Sequence, residues 1–342
     1  MDNCARNGEK LRAGVLSMAR GWAERGLVES AFLDWLEDEG RVSFPWSMID
    51  KITPHPSERV QEELGRLGVA DMAIARTNTG TLIAPFVNAE ITEYLVLEDA
   101  FPNGRPALEG AGVYLTDRTT VEKAEKMKVG TCLNPLHTAL AVYGCLLGYT
   151  SIAAEMGDAD LKALVEHIAA ESLPVVEDPG ILSPRAFIDE VLHERFPNPA
   201  IPDTPQRIAA DTSQKLPVRY GGTLRRYARQ SEQALAGLEF APLVFAGWCR
   251  YLLGVDDRGN AMPVSPDPML PQLQAHLKGI EVGRPDSLAG QLRPILSNAA
   301  LFGVDLYAAG LGERTEEMFR DMLAGPGAVR ATLHRNCVCK QP

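Results

Sequence analysis

The spacing of apolar residues changes once along this chain of 342 residues, and that change limits the folds it can adopt. From about residue 70 to residue 116, short apolar runs such as LIAPFV, EYLVL and GVYLT alternate with asparagine, glycine and proline, as in β-strands. From residue 117 onward, and also over residues 7–25, the spacing is that of α-helices. We therefore predict an α/β domain over residues 1–117 and a mostly α-helical domain over residues 118–342.

Charge and composition narrow the possible ligands. The net charge is -11, so the chain offers no extended basic surface for the phosphates of nucleic acid or a membrane. The apolar part of its most apolar window, LHTALAVYGCLLGYTSIAA, is too short to span a bilayer, and its N-terminus lacks a secretory signal. Six cysteines without regular spacing indicate reduced thiols. These features predict a cytoplasmic protein that binds a small molecule, with neither nucleic acid nor membrane as a partner.

The segment EKMKVGTCLNPLHTALAVYGC places a lysine, an asparagine and a histidine just before an apolar run. Asn134 and His137 are three residues apart and would share one face of a helix, whereas Lys128 would point away from that face in a continuous helix. Asn134 followed by Pro135 fits an N-cap with proline at the first helical position. We therefore expect a loop over residues 129–133 that returns Lys128 to the start of the next helix.

Two interpretations of this segment are open from spacing alone. A partly desolvated lysine beside the positive end of a helix could act as a general base, with Asn134 and His137 holding a substrate oxygen. Alternatively, Asn134 only caps the helix, His137 is a core histidine and Lys128 is a solvated charge. The residue spacing does not decide between a catalytic site and ordinary helix chemistry.

Nine segments, taken in the order in which they occur along the chain, carry a family resemblance. Together they resemble the long-chain mannitol dehydrogenase and fructuronate reductase (D-mannonate oxidoreductase) family of polyol and sugar-acid dehydrogenases. The segments that carry this resemblance are DNCARNGEKL, FPWSMIDKITP, APFVNAE, EYLVLEDAFPNGRP, EKMKVGTCLNPLHTALAVYGCLLGY, DTPQRIAADTSQKLPVR, SPDP, PILSNAALFGVDLYAAGLGE and AGPGAVRATL.

The resemblance implies metal-independent hydride transfer between a nicotinamide cofactor and a secondary alcohol or ketone. Lys128 matches the family's general base, and His137 matches the residue that orients the substrate hydroxyl. Asn134 and Asn7 match the pair that polarises the developing alkoxide. One departure is that five residues, rather than the family's commoner four, lie between Lys128 and Asn134.

The resemblance also implies roles for residues outside this segment. Glu125 matches the family's proton-channel glutamate, and Asp50 matches an aspartate near the cofactor and substrate. Arg207 and Lys215 match a basic pair that contacts the far end of the substrate. Because arginine offers a bidentate fork and lysine a point charge, this pair could hold a carboxylate, although the same pair also serves neutral polyols in the family.

A dinucleotide-binding domain of this family should open with a strand, a glycine-rich turn and a helix. The similar string GLGERT, at residues 310–315, lacks the third glycine and is interpreted as a helix start. We therefore expect residues 1–117 to be the C-terminal part of a truncated Rossmann-type domain. The residue that would distinguish NAD from NADP belongs to the missing part, and a truncated sheet edge would favour self-association.

Two other chemistries were weighed. A zinc-dependent dehydrogenase would need closely spaced ligands, and the cluster of His334, Cys337 and Cys339 lacks a fourth, so no metal is expected. Cys132 precedes a helix N-terminus that could activate its thiol, but the resemblance gives it no role and a buried structural thiol is favoured.

Three hypotheses for the function follow. Within the family resemblance, the residues of the segments FPWSMIDKITP and TCLNPLH favour the sugar-acid branch. This branch interconverts a 2-keto sugar acid of the fructuronate type and its aldonate, of the mannonate type. One alternative is a mannitol or polyol 2-dehydrogenase. The other is an inactive truncated remnant that acts only as an interaction module.

Overall fold

The computed structural model describes residues 4–338, which form two compact units. The first contains the described residues up to Met127 together with Glu177–Ser183. The second contains Lys128–Val176 and the described residues from Pro184 onward. The first unit is mixed α/β and the second is helical, which confirms the predicted fold class. The domain boundary between residues 117 and 118 stays a prediction, because the helix that follows it belongs to the first unit.

The first unit contains a small mixed sheet and several helices. Its elements, in chain order, are α1 (Asn7–Glu24), α2 (Ser30–Glu37), β1 (Ser47–Asp50), α3 (Glu58–Arg66), β2 (Ala75–Arg76), β3 (Leu82–Ile83), β4 (Tyr94–Glu98), a 3-10 turn (Leu108–Ala111), β5 (Tyr114–Thr116) and α4 (Arg118–Met127). The helix predicted near the start of the chain is α1. The runs EYLVL and GVYLT form β4 and β5, whereas LIAPFV forms only the short strand β3. Strand β1 lies outside the region in which strands were predicted.

The sheet has the strand order β1-β4-β5. Strand β1 is antiparallel to β4, with Ser47 opposite Leu97, and β4 is parallel to β5, with Val96 opposite Tyr114. Strands β2 and β3 form a separate antiparallel pair. Helix α4 packs against β1 and β4 and buries its apolar face there. The sheet is therefore covered by a helix that the sequence assigned to the other domain.

The second unit is built from helices and short helical turns. Its elements, in chain order, are a π-helical turn (Lys128–Cys132), α5 (Asn134–Leu147), α6 (Ile152–Glu155), α7 (Ala159–Ser172), a 3-10 turn (Leu173–Val175), α8 (Pro184–Glu190), a second π-helical turn (Val191–Arg195), α9 (Pro205–Ile208), α10 (Thr212–Arg219), α11 (Gly221–Gln230), α12 (Glu232–Ala236), α13 (Phe240–Tyr251), α14 (Leu270–His276), a 3-10 turn (Pro285–Ser287), α15 (Arg293–Leu296), α16 (Ala299–Phe302), α17 (Gly312–Met322) and α18 (Ala328–Cys337).

Helices α5 and α13 form the centre of this unit. Almost every residue of α5 after Asn134, and every residue of α13 after Phe240, is buried. The two helices approach closely where Gly247 faces the ring of Tyr143, because a Cβ at Gly247 would lie 2.7 Å from the Tyr143 Cζ. The Tyr143 hydroxyl donates to the backbone oxygen of Leu243 at 2.8 Å. The central crossing is thus packed tightly, and its buried hydroxyl is satisfied.

The most apolar sequence window forms α5, which has 14 residues. Across residues 4–338, no helix is both long enough and apolar enough to traverse a membrane. The apolar character of α5 is explained by its position at the centre of the helical unit, where it is surrounded by other helices.

Candidate active site

Lys128 lies in a π-helical turn rather than beside a loop. Helix α4 ends at Met127, and Lys128–Cys132 form a wide turn that closes where the Leu133 N–H donates to the Lys128 carbonyl oxygen at 3.1 Å. The predicted loop is therefore wrong. A π turn holds one more residue than an α turn, so it accommodates the extra residue between Lys128 and Asn134. Lys128 itself is only 3% exposed, which rules out the solvated-charge interpretation.

Asn134 begins helix α5 but does not cap it. The N-cap position is held by Leu133, and no side chain accepts a capping hydrogen bond there. The predicted N-cap role of Asn134 is wrong because the π turn carries the chain directly into α5 and Asn134 already has helical geometry. Its side-chain amide is half-buried and not used for capping, while its carbonyl oxygen accepts from the Thr138 hydroxyl at 2.9 Å.

His137 lies one turn into α5, against an acidic side chain. Its Nε2 lies 3.3 Å from Asp203 Oδ2, and its ring packs against Phe196 with centroids 5.0 Å apart. Burial lowers the pKa of His137, although the hydrogen bond and charge of Asp203 act in the opposite direction. Burial therefore favours the neutral imidazole, which is held against one carboxylate.

Asp203 joins two of the predicted site residues. Its carboxylate accepts from Arg207 Nε and Nη2, each at 2.6 Å, as well as lying beside His137. Although burial alone would raise the pKa of Asp203, hydrogen bonds from His137 and Arg207 hold it well below its usual range. Our sequence analysis missed this residue. The available signal was Asp203 four residues before Arg207, a spacing that suits an ion pair on one helix face.

Helix α10 supplies two further cations, of which Arg219 lies at the start of α5. Lys215 donates to the backbone oxygens of Ile208, at 3.0 Å, and of Ala210. Burial, helped by the charge of Arg219, lowers the pKa of Lys215 to about 8. Arg219 donates to the Thr138 hydroxyl at 2.6 Å, and burial lowers its pKa to about 10. The second unit therefore gathers Lys215 and a cation absent from our sequence analysis, Arg219, along with His137 and Arg207.

The remaining predicted residues, Asn7, Asp50 and Glu125, belong to the first unit. Asn7 is buried at the start of α1, and its side-chain NH2 donates to the carbonyl oxygen of Ser47, at 2.9 Å, and to the Ser47 hydroxyl, at 2.8 Å. This pairing ties α1 to β1, whose last residue is the buried Asp50. Glu125 is half-buried on α4. Their assigned roles stay predictions.

A cleft in the first unit lies beside the start of α1 and has a volume of about 780 Å³. Trp46 lines this cleft. The Cζ atoms of Arg6 and Arg118 lie 5.8 Å and 5.2 Å from the centre of its ring. Gly8 is required there, because a Cβ at this position would lie 2.2 Å from the Phe44 carbonyl oxygen. None of the predicted site residues lines this cleft.

Two alternatives from the sequence can be compared with the structure. Cys132 is buried, and burial raises its pKa to about 12, so the hypothesis of a thiol activated by the helix end is wrong. In residues 4–338, no group of three histidine, cysteine or acidic side chains could hold a metal ion. His334 instead lies 2.8 Å from Asp160 Oδ1, and Cys339 lies outside the described residues.

The string GLGERT begins helix α17, as predicted. Gly310 has a positive φ of 73°, and Gly312 is the first residue of the helix. A Cβ at Gly312 would lie 2.4 Å from the Tyr307 ring, so this glycine permits close packing inside the helical unit. The glycines therefore have a structural explanation that does not involve a dinucleotide.

Comparison with known proteins follows the same division of the chain. Residues 120–314 match the mannitol dehydrogenase C-terminal domain, which covers most of the helical unit. The chain therefore belongs to the mannitol dehydrogenase family. The fold also resembles a Pseudomonas fluorescens mannitol 2-dehydrogenase, solved as a ternary complex with NAD and D-mannitol, at a TM-score of 0.72 and 29% identity. That match covers 100% of this chain and 62% of the other.

Two relatives share the name D-mannonate oxidoreductase. The chain is 56% identical to a D-mannonate oxidoreductase of Thermotoga maritima over 97% of its own length and 62% of the relative's. It is 32% identical to a D-mannonate oxidoreductase of Escherichia coli over 89% of its length and 56% of the relative's. The chain thus spans about three fifths of the length of the relatives that it matches.

Proposed function

We propose that this chain provides the substrate-binding and proton-transfer part of a metal-independent NAD(P)-dependent oxidoreductase. The reaction would interconvert a 2-keto sugar acid of the fructuronate type and its aldonate, of the mannonate type. One observation carries the proposal: a buried lysine in a π turn leads directly into a helix whose first turn bears Asn134 and His137, the latter linked to Arg207 through Asp203. The high identity to a D-mannonate oxidoreductase supports this choice of substrate.

The proton chemistry is assigned to the side chains around the start of α5. Lysines that act as general bases are typically buried, and Lys128 is 3% exposed. During oxidation, the Lys128 amine takes the proton of the substrate hydroxyl, and it returns that proton during reduction. The amides of Asn134 and Asn7 donate to the oxygen on which negative charge develops, and His137 orients the substrate hydroxyl. Glu125 passes the proton onward from Lys128.

Asn7 is bonded to Ser47, the first residue of β1, and Asp50 is the last residue of the same strand, which fits the nicotinamide end of a dinucleotide. The glycine-rich string that could bind a pyrophosphate begins α17 instead. A bound nicotinamide supplies the acceptor or donor of hydride. We propose NAD as the cofactor, with NADP as the alternative, and we propose that the pyrophosphate is held by residues outside this chain.

A mannitol or polyol 2-dehydrogenase is the second candidate, and the Asp203–Arg207 ion pair favours it. The bidentate pairing neutralises Arg207, so the far end of the site carries less positive charge than the sequence suggested. A neutral polyol would then bind through hydroxyl groups, whereas a sugar acid would rely on Lys215. A substrate panel of fructuronate, tagaturonate, fructose and their reduced forms distinguishes these substrates.

The test of the base is Lys128→Ala in a form that turns over. Loss of a general base should lower kcat by about 10²- to 10⁴-fold, with circular dichroism unchanged. Lys126→Ala is the matched control, because Lys126 is two residues away, 42% exposed and paired with Glu122, and it should retain wild-type kcat. Wild-type turnover by Lys128→Ala would remove Lys128 as the base.

The third candidate, an inactive remnant, is tested by cofactor binding. Calorimetry or NADH fluorescence with this chain alone, and with a family dinucleotide-binding segment added in trans, measures whether saturable binding occurs. Binding in either mixture supports an oxidoreductase. Its absence from both, together with absent turnover, would assign the chain to an interaction module.

Finally, we propose self-association through the open side of the first unit. Strand β5 lies at one end of the described three-stranded sheet, where β4 is its strand neighbour. Helix α1 of the same unit leaves two large apolar side chains exposed, namely Met18 (61% exposed) and Trp22 (42% exposed). Edge strands and exposed apolar side chains both favour association between chains.

A further inference from the structure

The contact between His137 and Asp203 constrains which ring nitrogen carries a proton. Asp203 Oδ2 lies 3.3 Å from Nε2 of His137, and the carboxylate acts on the ring as a hydrogen-bond acceptor. An ionised carboxylate can only accept hydrogen bonds. In the neutral imidazole the proton must therefore reside on Nε2, and Nδ1 is left with a lone pair that accepts.

Hydrogen bonds from several neighbours fix the Asp203 carboxylate, so it can hold the His137 ring in one orientation. Arg207 binds both carboxylate oxygens at 2.6 Å, and the Thr204 N–H donates to Oδ1 at 3.0 Å. The backbone of Asp203 is fixed as well, because its carbonyl oxygen accepts from the Ile152 N–H at 3.1 Å. The side chain is 7% exposed, which limits competition from water. Rotation of the carboxylate would break several of these bonds at once.

We propose that Asp203 is a positioning residue that fixes His137 as the Nε2–H tautomer, so that Nδ1 accepts a hydrogen bond from a substrate hydroxyl. This inference rests on the proposed function for its substrate, but the tautomer is a property of the chain alone. An accepting Nδ1 binds a hydroxyl and disfavours a carbonyl oxygen, which offers no proton. His137 therefore recognises a hydroxyl group of the substrate, while the reacting ketone oxygen is left to the amides and Lys128.

The same carboxylate orients Arg207, so one residue sets the direction of two predicted substrate contacts. The Nε and Nη2 atoms of Arg207 face Asp203, which leaves Nη1 and the remaining Nη2 proton to face other groups. The Arg207 side chain is 62% exposed, so its outer edge is accessible to a ligand. Loss of Asp203 would therefore disturb the orientation of both His137 and Arg207.

The tautomer is measured by long-range ¹H–¹⁵N correlation spectra of the chain labelled at histidine nitrogens. The His137 signals are identified by their loss in His137→Gln. We expect a protonated Nε2 and an unprotonated Nδ1 in the wild-type chain near pH 7.5. A wild-type spectrum with the proton on Nδ1 would overturn the proposal, whether or not any variant folds.

Asp203→Asn tests the cause of the preference. A carboxamide can donate to Nε2, so the fraction of the Nδ1–H tautomer should rise. Asp158→Asn is the matched control, because Asp158 also forms a partly buried ion pair with an arginine, Arg330, and bonds Arg330 and Tyr149 rather than His137. Its His137 spectrum should equal that of the wild type. An unchanged tautomer in Asp203→Asn would contradict the assigned role.

Activity provides an independent readout in a form that turns over. Asp203→Asn should lower kcat/KM by about 10- to 100-fold, by analogy with the loss of a carboxylate that orients a metal-bound histidine. Asp158→Asn should stay within about twofold. Equal losses in both variants would indicate a structural role only. If no form turns over, the proposed function fails, whereas the spectra still decide the tautomer.

Discussion

Helix α13 is richer in apolar residues than helix α1, and the surroundings of the two helices differ as well. Every residue of α13 from Ala241 to Tyr251 is buried, whereas α1 buries Leu16 and Ala19 and exposes Leu11, Met18 and Trp22. The same contrast separates the two units, because the exposed large apolar side chains all lie in the first unit except Val218 and Val338. The helical unit completes its own core, while the α/β unit leaves apolar surface uncovered.

The exposed apolar side chains of α1 show that amphipathic spacing alone does not determine burial. Helix α13 is enclosed because α5, α7 and α17 pack around it. Helix α1 has α2 as its main neighbour, and the shared cluster of Leu16, Ala19 and Leu36 covers only one side. Stability should therefore be concentrated in the helical unit, and association should be concentrated in the α/β unit.

The largest expected effect on stability is at Glu155, because its carboxyl group is buried inside the helical unit. It is 0% exposed, and neither carboxyl oxygen has a hydrogen-bond partner. Burial, together with the charges of Asp158 and Asp203, raises its pKa to about 9. The unfolded chain releases this proton near its ordinary pKa of 4.5, so stability is lost as the pH rises from there towards 9.

Glu155→Gln should remove that loss. Above pH 5, the free energy of unfolding of the wild type should fall relative to the variant by about 1.4 kcal/mol per pH unit. Urea unfolding at pH 5, 6.5 and 8 measures the slope of each protein. Glu166→Gln alters an exposed glutamate of α7 and should retain the wild-type slope. Parallel curves for the wild type and Glu155→Gln would refute the prediction.

Replacing a glycine with alanine should change the free energy of unfolding in opposite directions in the two helices. Gly247→Ala places a Cβ 2.7 Å from the Tyr143 ring and should destabilise the chain by about 1–3 kcal/mol through overpacking. Gly14→Ala lies within α1 with no atom within 4 Å of the new Cβ, so it should stabilise by about 0.5–1 kcal/mol through helix propensity. Thermal unfolding measures both. The same sign in both variants would break the comparison.

The smallest effect on stability is expected at the exposed face of α1. Met18→Lys combined with Trp22→Lys should change the free energy of unfolding by no more than about 0.5 kcal/mol per substitution. It should nevertheless shift sedimentation velocity profiles towards the monomer. Val218→Lys alters a side chain in the helical unit that is 55% exposed and should leave the profile unchanged. Equal effects of the two variants would remove the α/β unit as the site of association.

Much of the architecture was predictable from local pattern. The change in apolar spacing predicted the order of an α/β unit followed by helices, and the runs EYLVL and GVYLT predicted β4 and β5. Strand β1 was not predicted, because it is only four residues long and its partners lie more than 40 residues away. Local composition contains too little information about such distant pairing.

The candidate site was predictable only in part. The family resemblance predicted Lys128, Asn134 and His137 as site residues, and these roles stay predictions; it did not predict how the chain connects the three residues. The π turn depends on small differences in backbone geometry, which helix and cap preferences do not specify. Asp203 lies far from His137 in sequence, and only the packing of its segment against α5 and α6 brings the two together.

The sequence by itself determined which residue types are present, the order of the two units and the membership of a family, because periodicity and motifs are properties of neighbouring residues. The tertiary structure decided that Lys128 is buried, that Cys132 is inert and that Asp203 faces both His137 and Arg207. Burial and charge pairing depend on segments that are distant in the chain. These long-range contacts set the protonation states on which the proposed chemistry depends.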